Sequence, residues 1–98
     1  MIEYLEEEKL TERIKEGKVI VNFFGTWCGP CKMMAPVLEK IANEKKIKVI
    51  KIDIDNHPLL TREYGVMSVP TFLFFKDGEQ INRQVGFMTK DALENYFK

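Results

Sequence analysis

Val19-Ile20-Val21-Asn22-Phe23-Phe24, then Trp27-Cys28-Gly29-Pro30-Cys31-Lys32, holds more structural information than any other part of the chain. The first run is apolar and strand-like. After the second, Met33, Met34, Val37, Leu38, Ile41 and Ala42 recur at the spacing of one buried helical face. Cys28 and Cys31 are the only two cysteines. Two residues between them let both sulfurs meet at a helix start and close a small disulfide ring. A Cys-x-x-Cys between strand and helix, inside a strand–helix–strand unit, reads as a thiol–disulfide exchange site.

The flanking sequence extends this unit on both sides. A short strand is expected over Ile2 to Leu5. A helix is expected from about Glu7 to Glu16, burying Leu10 and Ile14 and stopped by Gly17. Val19 to Phe24 is apolar on both faces and should be a central strand. The helix that starts at the cysteines should reach about Glu44, with Pro36 removing one backbone hydrogen bond and kinking it. Ile47 to Ile54 is a further β-branched strand. Asp55-Asn56-His57-Pro58 can open a short helix through Tyr64, because proline fits the first helical position. Thr71 to Phe75 and Glu79 to Val85 form a hairpin around Asp77-Gly78. A last helix, Thr89 to Phe97, buries Ala92, Leu93, Tyr96 and Phe97. The order β-α-β-α-β-α-β-β-α predicts an α/β fold with a mixed central sheet and helices on both faces. Its first half is parallel through right-handed crossovers and its closing hairpin antiparallel.

Ninety-eight residues, 45% of them apolar, suit one globular domain over residues 1–98. Fifteen basic and fifteen acidic residues cancel, so no global field draws nucleic acid or an anionic membrane. The run Glu6-Glu7-Glu8 reads as the solvated start of a helix. No stretch is long and apolar enough to span a bilayer, and the start lacks a signal-peptide pattern. The expectation is a cytoplasmic chain, and in a reducing compartment a cysteine pair is catalytic or metal-binding rather than a staple. Zinc needs four ligands and only His57 adds to the two thiols, so no metal is expected. His57 itself reads as a loop residue or helix cap.

Trp27-Cys28-Gly29-Pro30-Cys31-Lys32-Met33, Ala35-Pro36, Tyr64-Gly65, Val69-Pro70-Thr71, Phe75-Lys76 with Gly78, and Gly86 together resemble the thioredoxin family. Order and spacing agree from the second strand to the last helix. The resemblance implies a thioredoxin fold and a protein-disulfide reductase with no bound prosthetic group. Its electrons would come from a thioredoxin reductase, and disulfide-containing proteins would be its substrates. A monomer is expected. Cys28 would attack the substrate disulfide, favoured as thiolate by the unpaired N–H groups of the helix start, and the more buried Cys31 would resolve the mixed disulfide. Gly29 and Pro30 tune the pair toward reduction, Pro30 by removing an N–H. The Val69–Pro70 bond is expected to be cis, leaving the Val69 backbone free to pair with an extended substrate. Trp27, Gly29, Pro30, Val69, Pro70 and Gly86 would form an apolar patch around Cys28. Met67, Phe87 and Met88 flank it, and they widen the range of partners if exposed.

One position departs from the family pattern. Asn22 stands where the family has a buried aspartate, beside Lys51, which matches the lysine that accompanies that aspartate. Lys51 should then lack its carboxylate partner, thiol pKa values should be lower than with aspartate, and proton transfer at Cys31 should take another route. The bland alternative for Asn22 is a buried amide satisfied by backbone. Competing readings of the whole chain are an oxidase or isomerase of the same fold and a binding module with incidental thiols.

Overall fold

The runs rich in valine, isoleucine and phenylalanine become strands because branched and aromatic side chains pack well on a pleated surface. The computed structural model describes residues 1–7 and 9–97. Its strands are β1 (Ile2–Tyr4), β2 (Lys18–Phe24), β3 (Lys48–Asp53), β4 (Thr71–Lys76) and β5 (Glu79–Val85), arranged β1-β3-β2-β4-β5. β1 and β2 run parallel to β3, while β4 is antiparallel to both β2 and β5. The helices are α1 (Gly29–Glu44), α2 (Pro58–Glu63) and α3 (Lys90–Asn95).

Side-chain alternation along the strands divides the interior into two cores. On one face Ile20, Val49, Phe72 and Phe74 pack with Met34, Leu38 and Ile41 of α1 and with Leu93 and Phe97. On the other, Val21, Phe23, Ile50, Ile52, Leu73 and Phe75 pack with Leu5, Leu10, Ile14 and Leu60 of α2. β2 lies between β3 and β4 and is covered on both faces, as its apolarity, broken only by Asn22 within Val19 to Phe24, predicts. Asp77 and Gly78 both have positive φ, 49° and 90°, which the tight β4–β5 turn demands.

The expected helix over Glu7 to Glu16 does not form; residues 11–17 are turns and bends. Glu8, the last of the three-glutamate run, lies outside the described residues, as does Lys98. Leu10 and Ile14 are buried as expected, but from a turn closed by the Arg13 N–H on the Leu10 carbonyl at 2.9 Å. A ten-residue helix is marginal by itself, and tertiary partners claim this segment's polar groups. Arg13 pairs with Glu3 at 2.6 Å and with Glu7 at 3.2 Å, and Lys48 Nζ donates to the Arg13 carbonyl at 3.0 Å. Gly17, at φ +74°, turns the chain into β2; its N–H donates to Asp77 Oδ1 at 2.8 Å and its carbonyl accepts the Asp77 N–H at 2.9 Å. The described order is therefore β-β-α-β-α-β-β-α.

Met33 also departs from expectation. The buried stripe of α1 is Met34, Leu38, Ile41 and Ala42, with Val37 partly covered, and Met33 sits beyond its edge in solvent. α1 is assigned as one element through Pro36, whose ring lies on the exposed side. No helix among the described residues is long and apolar enough to cross a membrane.

The buried anchors of the turn segment make a testable contrast. Leu10→Ala should lower unfolding free energy by roughly 2–5 kcal/mol. Exposed Lys15→Ala should change it by less than about 0.5 kcal/mol. Urea unfolding of both variants is the check, and equal small losses would show that Leu10 anchors nothing.

Candidate active site

β2 ends at Phe24, and a short loop carries the chain directly into α1 with Cys28 at the N-cap position. The helix start leaves N–H groups without intrahelical partners. One of them, on Cys31, donates to Cys28 Sγ at 3.2 Å. No acidic residue occupies the first turn to offset the positive end of the helix. Cys28 and Cys31 form a disulfide, with Cα atoms 5.3 Å apart. Pro30, in the same turn, offers no N–H, so the N–H that meets the sulfur is the one supplied by Cys31.

The two cysteines are equally enclosed, Cys28 at 4% and Cys31 at 5% exposure, so Cys31 is not the more buried. Cys28 Sγ is bonded to Cys31 and lies 3.8 Å from the Val69 carbonyl. The cysteines differ in what they face. Cys28 faces the Val69 segment, and Cys31 lines a separate cavity that opens to solvent.

Val69–Pro70 is cis, as expected. The Pro70 carbonyl accepts the Gly86 N–H at 2.9 Å, which joins the two segments beside Cys28. Gly86 has φ +98°, a conformation that L side chains rarely adopt. Trp27, Gly29 and Pro30 are exposed around the pair, Val69 and Gly86 are partly covered, and Pro70 is buried. Of the flanking residues, Met67 is 94% exposed and Phe87 is exposed, but Met88 is buried with its N–H on Met34 Sδ at 3.4 Å.

Three contributors escaped the sequence reading. Asp55 accepts the Trp27 indole N–H at 3.0 Å, although its position suggested only a helix cap. A Cβ on Gly25 would lie 2.6 Å from the Trp27 ring, so any side chain there would displace it. Arg83, on β5, donates to the carbonyls of Tyr64 and Gly65 at 2.6 and 2.7 Å, bracing the start of the segment that ends at Val69. Next to that brace, burial first and Glu63 second push the Tyr64 phenol above its usual pKa. The Asp55-Asn56-His57-Pro58 turn before α2 gave a signal only for helix initiation, and no local pattern marks a cross-chain partner.

Behind Cys31 a cavity of about 200 Å³ is lined by Phe24, Gly25, Thr26, Cys31, Lys32, Ala35 and Lys51. Asn22 is 1% exposed and lies in register between Lys51 of β3 and Phe72 of β4. Its Nδ2 donates to the Phe23 carbonyl at 3.3 Å, as a backbone-satisfied amide would. Lys51 is 8% exposed, with Nζ 4.8 Å from the Phe24 ring centre and 5.5 Å from that of Tyr4. Among the described residues it makes no ion pair. His57 is buried at the N-cap position of α2, with Nε2 2.8 Å from the Leu5 carbonyl, and serves the structure there. No group of three potential metal ligands converges among the described residues.

The family model for thioredoxin matches residues 1–98 of this chain. The chain belongs to the thioredoxin family. It is 43% identical to a thioredoxin of Chlamydia trachomatis serovar D over 94 residues, which span 95% of this chain and 92% of that one. It is 46% identical to a thioredoxin of Bacillus subtilis over 90 residues, 90% of this chain and 86% of that one. Among solved structures, a point mutant of a thioredoxin from Halobacterium salinarum NRC-1 is similar with a TM-score of 0.88 at 38% identity. That match covers 96% of this chain and 85% of the other. A thioredoxin from Malassezia sympodialis gives 0.83 at 31% identity, covering 99% and 89%. The fold is the thioredoxin fold. The chain is a thiol–disulfide oxidoreductase that reduces protein disulfides through a redox-active Cys-x-x-Cys pair, without a bound cofactor.

Trp27 is the sole tryptophan, so its emission reports its own surroundings. Asp55→Ala should free the indole and move its emission to the red in both redox states. An unchanged spectrum would mean that the Asp55 bond does not hold the ring.

Proposed function

We propose that Cys28 is the attacking residue and Cys31 the resolving one in a two-step reduction of protein disulfides. The observation that carries this assignment is the Cys31 N–H aimed at Cys28 Sγ at the start of α1. A thiolate at Cys28 would receive that bond as a charge-assisted one, in the field of the helix end. It attacks one substrate sulfur, and the substrate S–S bond breaks as the Cys28–substrate bond forms. The departing sulfur leaves as a thiolate and takes up a proton. Cys31 then gives up its proton and attacks Cys28 Sγ. The ring closes and the second substrate sulfur is released as a thiol. The substrate gains two electrons and the Cys28–Cys31 pair loses two, which a thioredoxin reductase would restore.

Substrate would lie extended beside Val69 and pair with its backbone, since that carbonyl already faces Cys28. Trp27, Gly29, Pro30, Pro70 and Gly86 would frame it, with Met67 and Phe87 as adaptable apolar contacts at the rim. Gly29 and Pro30 tune the pair toward reduction. In this reading residues 1–98 act as one cytoplasmic, monomeric domain that engages neither nucleic acid nor membrane. Balanced charge supports the last part.

Position 22 shapes the proton side of the second step. Asparagine has no carboxyl proton to exchange, so Cys31 must release its proton to water or to substrate. A neutral amide also leaves Cys31 without a neighbouring negative charge that would oppose its thiolate.

Two experiments test these roles. Cys31→Ser, mixed with a disulfide-bonded test protein, should accumulate the mixed disulfide on Cys28, whereas Cys28→Ser should trap nothing; trapping by the second variant instead would reverse the assignment. Asn22→Asp should raise the thiol titration and change the exchange rate by up to about a hundredfold. If neither moves, position 22 is uncoupled from the cysteines.

A further inference from the structure

Lys51 is a buried cation with two aromatic rings beside its ammonium. Its Nζ lies over Phe24 of β2 on one side and Tyr4 of β1 on the other, and these two rings meet edge to face at 6.1 Å. Phe24 and Lys51 line the cavity that reaches Cys31. Tyr4 and Lys51 line a second, outer cleft of about 520 Å³. The lysine thus borders both the cavity of the resolving cysteine and the outer cleft.

A long lysine side chain has many rotamers, and burial of its charge needs a compensating partner. A carboxylate at position 22 would supply one, but Asn22 cannot, and its amide is turned to the Phe23 carbonyl. The faces of two aromatic rings attract an ammonium, and the attraction grows when water is excluded. β1 supplies one ring because it pairs with β3 in the register Tyr4↔Lys51. Other charged or titratable groups line the same two spaces. Lys32 of α1 borders the inner cavity. Glu6 after β1, Asp53 of β3 and His57 before α2 border the outer cleft.

We propose that Tyr4 and Phe24 are positioning residues: an aromatic clamp that holds the Lys51 ammonium against the Cys31 cavity, where it favours the Cys31 thiolate in place of a buried acid–lysine pair. The inference rests on the assignment of Cys31 as resolving cysteine. In the reduced protein the positive charge would border the same cavity as the sulfur that must lose its proton. An opposite charge nearby favours the ionised form. The clamp keeps that charge from swinging into the outer cleft toward Glu6 and Asp53.

The test titrates Cys31 alone, in reduced protein carrying Cys28→Ser, through the Cys31 Cβ chemical shift. Lys51→Met should raise the Cys31 pKa and reduce the thiolate fraction near neutral pH at least about threefold. Tyr4→Leu should move it in the same direction by less, and Tyr4→Phe, which keeps the ring, should restore it. Tyr4 is 62% exposed, so its replacement leaves both cores intact. The decisive comparison is the double variant: Tyr4→Leu should add nothing once Lys51→Met is present, because the ring acts only through the lysine. An equal Tyr4→Leu shift with and without Lys51, or no shift for Lys51→Met, would overturn the clamp. Trapping of substrate by Cys31→Ser is read separately. Lost trapping would remove the cysteine assignment beneath the proposal, whereas intact trapping with an unmoved Cys31 titration would remove the clamp alone.

Discussion

The start of α1, with its unpaired N–H groups, must sit at the end of β2 facing the Val69 segment. Everything else in the molecule serves that placement. Met34, Leu38 and Ile41 press the helix onto Ile20, Val49, Phe72 and Phe74, so that its first turn cannot drift. α3 closes the same core through Leu93 and Phe97, and Lys90 adds a surface pair with Glu44 at the far end of α1. That pair holds the Glu44 carboxyl below its usual range, first through their hydrogen bond and then through charge, but solvent exposure limits its worth.

The two faces of the sheet divide the work. The face under α1 carries the cysteines, Asn22 and Lys51. The opposite face carries the scaffold that delivers everything around them: Leu60 seats α2, and the turn before α2 brings Asp55 to Trp27. The segment after α2, braced by Arg83, brings Val69 to Cys28. Period-two alternation makes this division possible, because one strand can build a core on one side and a reactive site on the other.

Burying polar groups in the middle strands is the least economical feature of this fold, since each must find a partner. Asn22 meets the requirement with a backbone carbonyl and Lys51 with two ring faces. Lys51 and Cys31 border one cavity, and position 22 carries no titratable acid.

Local pattern in the sequence was enough to determine the elements whose periodicity is long and unambiguous: the apolar β2 run, the α1 stripe, the Asp77-Gly78 hairpin and the cysteine pair between strand and helix. These depend on spacing within a few residues, where covalent geometry alone dictates which side chains share a face. Tertiary structure alone decided the segment before β2, where a helical pattern too short to hold itself became a turn tied down by Glu3, Lys48 and Asp77. It alone decided that Met33 stands in solvent, that Asp55 holds Trp27, that Arg83 braces the Val69 segment and that Tyr4 covers Lys51. Each of those contacts joins residues set by strand register or by the packing of distant segments. The free energy that selects them belongs to the assembled sheet, and no window of sequence contains it.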